Sequence, residues 1–154
     1  MPNIFFVHLK RIVFNYDVFM NNKIHTRLHF PDELNYEPYT KEGLELREKL
    51  GVEYLKSLKD NEEELKKFEE QTLHGKDKDF YKLKLKAIIV HSGTADVGHY
   101  ITILRKGDNW QKFDDSRVSG FGLSSFDEEC YGGNFTADEW GGSGSSKNAY
   151  VLVY

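Results

Sequence analysis

The stretch YKLKLKAIIVHSGTADVGHYITILRKGDNWQKFD, residues 81–114, decides the fold. Apolar residues alternate with lysines over its first six positions, and residues 87–90 are continuously apolar. This pattern predicts a strand that begins at an edge and becomes buried. Two more strands are predicted at HYITILR, residues 99–105, and WQKFD, residues 110–114, and the KGDN between them is typical of a hairpin turn. The stretch therefore predicts antiparallel β-structure.

Similar patterns lie on both sides of this stretch. Apolar and polar residues alternate over residues 3–15 and again over residues 23–30, and both segments contain β-branched and aromatic residues. The DVFMNN between them, residues 17–22, supplies an asparagine pair that a turn tolerates, so an antiparallel ribbon is predicted. Pro31 ends the second strand because it cannot donate to a ladder. A last apolar strand is predicted at AYVLVY, residues 149–154.

Two segments depart from the strand pattern. Residues 41–78 form a charged insert with two predicted helices, the second capped at Asn61 and continued by Glu64 in a capping-box pattern. In the first helix, apolar side chains recur every four residues, at Leu46, Leu50, Tyr54 and Leu58. The run GGSGSS, residues 141–146, predicts a flexible loop. The fold class expected is α+β, with a β-rich body and a two-helix insert.

Composition excludes several classes of protein. The chain has 154 residues, a net charge of -4 and a single cysteine. A lone thiol cannot form an internal disulfide, and neither a signal-peptide pattern nor a long apolar run is present, which disfavours a secreted or membrane-spanning protein. A pI near 5.9 offers no basic surface for nucleic acid. A reducing compartment is expected, the cytoplasm first and the nucleus second.

His99 fits a catalytic histidine best. It begins a predicted strand directly after the glycine-containing segment HSGTADVG, residues 91–98. If KGDN forms the hairpin turn, Arg105 faces Trp110, and Asp114 becomes the diagonal neighbour of His99 on the same face of the sheet. A carboxylate beside a histidine holds one ring tautomer and stabilises the imidazolium that forms when the ring takes a proton.

Other interpretations of this pair stay open on sequence alone. A one-residue bulge would reverse the parity and favour Asp115 instead of Asp114. A histidine and an aspartate on adjacent strands also occur as a surface hydrogen-bonded pair without a catalytic role. Gly98 favours a functional loop, because a residue without a side chain lets another backbone approach closely.

The other histidines and Cys130 give weaker evidence for a functional site. His8, His25 and His29 lie in strand patterns without acidic neighbours at ligand spacing, so they are interpreted as solvent-facing or as core residues with satisfied hydrogen bonds. No residues have zinc-finger spacing, and neither a metal nor a cofactor is expected. Cys130 follows three acidic residues, which would raise the pKa of its thiol and make it a poor nucleophile.

Three blocks of the sequence resemble the ubiquitin-specific proteases, which are papain-like cysteine deubiquitinases. FFVHLKRIVFN and KIHTRLHFPDELN, residues 5–15 and 23–35, are similar to that family's His-Leu-Lys-Arg-Phe and Phe-Pro-x-x-Leu region. Residues 81–105 with WQKFDDSRVS, residues 110–119, resemble its histidine box. ECYGG and the closing NAYVLVY resemble its Cys-Phe-Gly-Gly and Asn-Ala-Tyr segment. The resemblance covers nearly the whole chain apart from the helical insert.

The resemblance implies a fold and a set of roles. It implies the β-rich palm of a papain-like cysteine protease, with His99 as the catalytic base, Asp114 as the residue that orients it and Asp115 as a second acidic residue at the site. The segment from Gly93 to Gly98 matches a loop that closes over the C-terminal tail of ubiquitin, with Tyr100 beside the passing diglycine.

The sequence also departs from the family pattern. The family's cysteine box, Asn-x-Gly-x-Thr-Cys-Tyr, and its zinc-binding finger segment have no counterpart in residues 1–154. The chain is therefore expected to be the C-terminal half of a catalytic domain, with the nucleophile on the N-terminal half, and to be inactive alone. Ubiquitin, ubiquitinated proteins and that N-terminal half are the expected partners, without nucleic acid or membrane. The alternative is a non-catalytic ubiquitin-binding or scaffold module that keeps the protease fold.

Overall fold

Antiparallel strand pairs dominate the structure. The computed structural model describes residues 2–138 and 141–154. The strands are β1 Phe6–His8, β2 Ile12–Asn15, β3 Met20–Lys23, β4 Glu33–Asn35, β5 Lys82–Lys84, β6 Ala87–Gly93, β7 Gly98–Lys106, β8 Asn109–Asp114, β9 Arg117–Phe121, β10 Phe135–Asp138, β11 Gly141–Gly144 and β12 Asn148–Val153. The helices are α1 Lys41–Leu50, α2 Val52–Ser57, α3 Glu62–Thr72 and α4 Phe126–Glu129. The α+β class expected from the sequence is confirmed.

The chain divides into two compact units, residues 33–84 and residues 2–32 with 85–154. The larger unit is built on a six-stranded sheet in the order β1-β12-β6-β7-β8-β9, in which every neighbouring pair is antiparallel. Its centre is β6, whose Ile88 and Val90 are fully buried, and Ile103 of β7 is equally inaccessible. The continuously apolar sequence of β6 is thus explained by a strand with neighbours on both edges and little solvent contact.

Residues 81–91 do not form one strand. β5 pairs with β4 in the smaller unit, whereas β6 begins at Ala87 in the larger unit. The alternation over the first half is nevertheless real, because Tyr81, Leu83 and Leu85 are buried while the lysines between them are exposed. β9 was not predicted; its residues are mostly exposed and lack a clear apolar alternation.

The N-terminal ribbon exists, but its second strand lies earlier in the chain than predicted. β2 pairs with β3, which includes the asparagines assigned to the turn, and residues 24–32 do not form a strand. The buried Arg11 explains part of the difference. Its guanidinium donates to the carbonyls of Ile24 and Thr26, and to Tyr131 O at 3.4 Å, so these backbone acceptors are satisfied by a side chain rather than by a strand.

The first helix of the insert is interrupted. α1 ends at Gly51, which adopts a φ of 79°, and α2 begins directly after it, so the two-helix prediction is wrong by one helix. A left-handed backbone suits glycine and ends the helix even though the apolar spacing continues. The predicted cap is confirmed: the Asn61 side chain accepts from the backbone N–H groups of Glu63 and Glu64 at 3.2 Å.

The loop predicted for residues 141–146 is wrong at its first four residues. Gly141–Gly144 is strand β11, paired antiparallel with β10. Backbone hydrogen bonds form a ladder without side chains, so a glycine-rich strand leaves no periodic signal in the sequence.

Candidate functional site

The β7–β8 hairpin positions the candidate site. Arg105 pairs with Trp110 and Thr102 with Phe113, which confirms the predicted register, and this part of the ladder contains no bulge. Asp114 therefore falls on the same face as His99, displaced diagonally by two residues. On its other side β7 pairs with β6, with Ser92 opposite His99.

His99 and Asp114 form a short hydrogen bond. Nε2 of His99 lies 2.6 Å from Oδ1 of Asp114, and the two side chains are about half exposed. An ionised carboxylate can only accept, so Nε2 carries the proton and Nδ1 of the neutral ring keeps a free lone pair. The arrangement gives a histidine that is held at one nitrogen and can take a proton at the other.

The same hydrogen bond shifts both titrations. It is the main cause that raises the pKa of His99 above its ordinary value and lowers the pKa of Asp114. The His99 contribution to stability is therefore present below the pKa of a free imidazole and is lost as pH rises through the raised pKa. The Asp114 contribution is present above the pKa of a free carboxyl and is lost as pH falls through the lowered pKa. Both groups are solvated, which keeps these contributions small.

Asp115 has a secondary position. Its backbone has a φ of 51°, in the turn that joins β8 to β9. It acts on His99 through its charge, which raises the pKa of the imidazole, whereas Asp114 acts first through the hydrogen bond. Side-chain oxygens of both aspartates and a ring nitrogen of His99 lie within 4.8 Å of one another, so the three residues could hold a cation. A cation bound through Nε2 would have to break the His99–Asp114 hydrogen bond.

The segment before His99 is a tight connection between β6 and β7. Gly93 pairs with Gly98, and the N–H of Thr94 donates to Val97 O at 2.8 Å. Gly93 has a φ of 120°, which favours glycine. A Cβ at Gly98 would lie 2.7 Å from Ser92 O, so the close backbone approach expected at this glycine is confirmed.

Sequence reasoning missed His91, which lies beneath Gly98. Its ring is 3% exposed, and its centroid lies 4.7 Å from that of Tyr100. A Cβ at Gly98 would come within 2.0 Å of Nε2 of His91. Tyr100, about half exposed, pairs with His91 across β6 and β7 and packs against its ring. The signal that could have found His91 is the period of two along β6, which places it on the same face as the buried Ala87, opposite to the face of Ile88 and Val90.

Cys130 is buried beyond the reach of a substrate. It follows α4 directly, and its exposure is 0%. Burial, more than the neighbouring Glu129, raises the pKa of its thiol to about 12. The predicted direction is confirmed, but the main cause is desolvation rather than the acidic residues. A thiol in this state is a poor nucleophile.

The remaining histidines of the prediction lie in ordinary positions. His8 and His29 are exposed, and His25 is half-buried. His8 packs edge-on against Tyr150, and His29 lies against Tyr131.

Among the described residues, no helix is both long enough and apolar enough to cross a bilayer.

Comparison with known proteins identifies the family of the chain. The family model "Ubiquitin carboxyl-terminal hydrolase" matches residues 1–154. The chain is 31% identical to Ubiquitin carboxyl-terminal hydrolase 34 of Homo sapiens over 144 residues, which is 88% of this chain and 4% of that protein. It is 31% identical to Ubiquitin carboxyl-terminal hydrolase 15 of Schizosaccharomyces pombe over 162 residues, covering 100% of this chain and 11% of that protein. The chain thus spans a small fraction of the relatives it matches, and it belongs to the ubiquitin carboxyl-terminal hydrolase family.

Proposed function

We propose that this chain is the palm part of a thiol-dependent deubiquitinase domain, which hydrolyses the bond after the C-terminal glycine of ubiquitin. His99 is the base, Asp114 orients it, and Asp115 adds negative charge beside the ring. The observation that carries the proposal is the 2.6 Å contact between Nε2 of His99 and Asp114 in a chain of this family. The hydrogen bond occupies Nε2 and leaves the lone pair of Nδ1 for a proton, on a ring that is about half exposed.

The nucleophile in this proposal comes from outside these 154 residues. The sequence holds one cysteine, and that residue is buried with a thiol pKa of about 12. The N-terminal half of the same catalytic domain would present the reactive thiol to Nδ1 of His99. A reducing compartment, the cytoplasm or the nucleus, would keep such a thiol active.

The chemistry then follows from the free nitrogen. Nδ1 takes the thiol proton, and the thiolate sulfur attacks the carbonyl carbon of the terminal glycine of ubiquitin. The resulting imidazolium, stabilised by Asp114, gives its proton to the leaving amine as the C–N bond breaks. Water activated by the neutral ring hydrolyses the thioester and releases ubiquitin and the thiol.

Recognition of the ubiquitin tail is proposed for the segment next to His99. The tail ends in two glycines, so it can pass through a narrow channel lined by backbone. Gly93 and Gly98 offer such backbone, and the exposed half of the Tyr100 ring stands beside it. These three residues are the proposed contacts of the diglycine.

The test is a reconstitution assay. The chain is mixed with the N-terminal half of a ubiquitin-specific protease domain, and hydrolysis of a fluorogenic ubiquitin C-terminal amide is measured. His99→Ala should lower kcat/KM by about 100-fold or more, and Asp114→Asn should lower kcat. Cys130→Ala should leave the rate unchanged.

Two outcomes would overturn the proposal. Hydrolysis by the chain alone that is lost in Cys130→Ala would make Cys130 the nucleophile. Binding of ubiquitin near Gly93 and Tyr100 without any hydrolysis in the mixture would favour the second candidate, a non-catalytic ubiquitin-binding module. The observation behind this second candidate is the inaccessible thiol of Cys130.

A further inference from the structure

The edge of β6 loses its strand partner just before the connection to His99. The ladder between β6 and β12 ends at the pair His91–Asn148. The carbonyls of His91 and Gly93, two residues apart, face the same edge of the strand. Beyond the ladder, the N–H of Gly93 donates to Oγ of Ser146 at 2.9 Å. The backbone here needs donors that β12 no longer supplies.

Lys23, the last residue of β3, supplies them. Its ammonium donates to His91 O at 3.0 Å, to Gly93 O at 3.2 Å and to Ser146 O at 2.7 Å. An ammonium has three N–H donors, so all three are used by backbone carbonyls. Among the described residues Lys23 forms no ion pair, and its side chain is half-buried. Burial and the nearby Arg11 lower its pKa to about 8.

Placing a lysine here has a cost that calls for an explanation. A half-buried cation without a carboxylate loses part of its hydration, and three carbonyl dipoles replace it only if they are held in place. The ammonium therefore favours one arrangement of three segments, which contain Lys23, the pair His91 and Gly93, and Ser146. Two of its three acceptors, His91 O and Gly93 O, lie directly before the Thr94–Val97 turn, which ends two residues before His99.

We propose that Lys23 is a positioning residue for His99: its ammonium takes the place of a strand neighbour at the end of β6 and thereby fixes the glycine connection that leads into the base. The inference rests on the proposed function in one respect, since it takes His99 as the base. A lysine that only added stability would act on the whole fold, whereas a positioning lysine acts on residues 93–99.

The first experiment uses the 154-residue chain without any partner. Lys23→Met keeps the length of the side chain but removes its donors. Amide hydrogen exchange at Gly93 and Thr94 should become about tenfold faster or more, as expected for the loss of charge-assisted hydrogen bonds. Exchange at Ile103 in the centre of β7 should stay within the spread of the control. The control is Lys86→Met, which removes an exposed lysine from the same unit.

The second readout is the pKa of His99 measured by NMR. If the connection loosens, the His99–Asp114 hydrogen bond is populated less, and the pKa of His99 should fall toward that of a free imidazole. A uniform loss of stability would not change this pKa in the folded state. Unchanged exchange at residues 93–98 together with an unchanged pKa of His99 would overturn the proposal, whatever happens to the melting temperature.

Chemical rescue provides a matched test. In Lys23→Cys, treatment with 2-bromoethylamine rebuilds an ammonium at nearly the length of lysine. The buried Cys130 should not react, so the modification is selective. Slow exchange at Gly93 and the raised pKa of His99 should return after the treatment, and failure of both to return in fully modified protein would count against the ammonium.

Activity separates the two proposals. In the reconstituted mixture Lys23→Met should lower kcat/KM, and the aminoethylated cysteine should restore it. An inactive wild-type mixture would reject the proposed function, while the exchange and pKa measurements would still decide the role of Lys23. If the mixture is active and Lys23→Met keeps full activity, the positioning role of Lys23 is rejected and the proposed function is not affected.

Discussion

Gly98→Ala tests the packing directly beneath the candidate site. A Cβ at this position would lie 2.0 Å from Nε2 and 2.7 Å from Cε1 of His91, and 2.7 Å from Ser92 O. The backbone of Gly98 is not in the left-handed region, so alanine would meet no torsional strain. The whole effect is therefore steric. Neither obstacle moves easily, since Ser92 O belongs to β6 and the His91 ring is 3% exposed.

The size of the effect follows from overpacking. Adding a methyl group to a filled interior costs about 1–3 kcal/mol, and the smaller entropy of an unfolded alanine offsets about 0.4–1 kcal/mol of this. A net loss of about 1–2 kcal/mol in the free energy of unfolding is expected, which corresponds to about 2–8 °C in melting temperature for a chain of this length. Because the displaced atoms adjoin His99, activity of the reconstituted enzyme should also fall.

The assay is chemical and thermal unfolding followed by circular dichroism, with Gly120→Ala as the control. Gly120 also lies in a strand, β9, but a Cβ there would meet nothing within 4 Å. Gly120→Ala should be neutral or slightly stabilising. In a double-mutant cycle, His91→Ala should remove the part of the Gly98→Ala penalty that comes from the His91 ring, while the contact with Ser92 O stays. The reasoning is refuted if Gly98→Ala is as stable as Gly120→Ala, or if the double variant shows no coupling.

Three further predictions concern the site, the insert and the thiol. Asp114→Asn should lower the pKa of His99 toward its ordinary value, and Asp115→Asn should lower it less, because the hydrogen bond to Asp114 is the largest cause of the shift. NMR titration of the imidazole measures the pKa of His99 in both variants. Equal shifts would contradict the role given to Asp114. Asn61→Ala removes the N-cap of α3 and should lower the free energy of unfolding by about 1 kcal/mol. Asn21→Ala, at an exposed position in the other unit, is the control. Cys130 should resist iodoacetamide in the native chain and react after unfolding in guanidinium, as mass spectrometry would show; rapid modification of the native chain would contradict its burial.

The contact between His99 and Asp114 could be predicted because it depends only on a short turn and on the alternation of side chains along two strands. A two-residue reversal at Gly107 and Asp108 sets the register of its own hairpin, and the period of two then fixes which residues share a face. His99 and Asp114 meet for this reason alone. The choice between Asp114 and Asp115 required only that the hairpin lack a bulge, which the sequence could not guarantee but the structure shows.

The unpredictable part involves side chains that replace backbone partners. Arg11 satisfies the carbonyls of Ile24 and Thr26, so a segment with strand-like alternation has no strand. Lys23 does the same for the end of β6 across 68 positions of sequence. Neither residue differs in its local pattern from a solvent-exposed lysine or arginine, because the pattern records a residue's neighbours along the chain and not its neighbours in space.

The sequence by itself determined the α+β class and the hairpin, since both depend on periodicity or on a short turn, and it placed an aspartate beside His99 without deciding between Asp114 and Asp115. Its three blocks also indicated the family, which the comparisons show. Tertiary structure decided the rest: Cys130 is withdrawn from chemistry by burial, His91 fills the space that Gly98 leaves, and Lys23 binds three carbonyls from two separate segments. Desolvation and long-range hydrogen bonds depend on which segments meet, and that is settled only when the whole chain has folded.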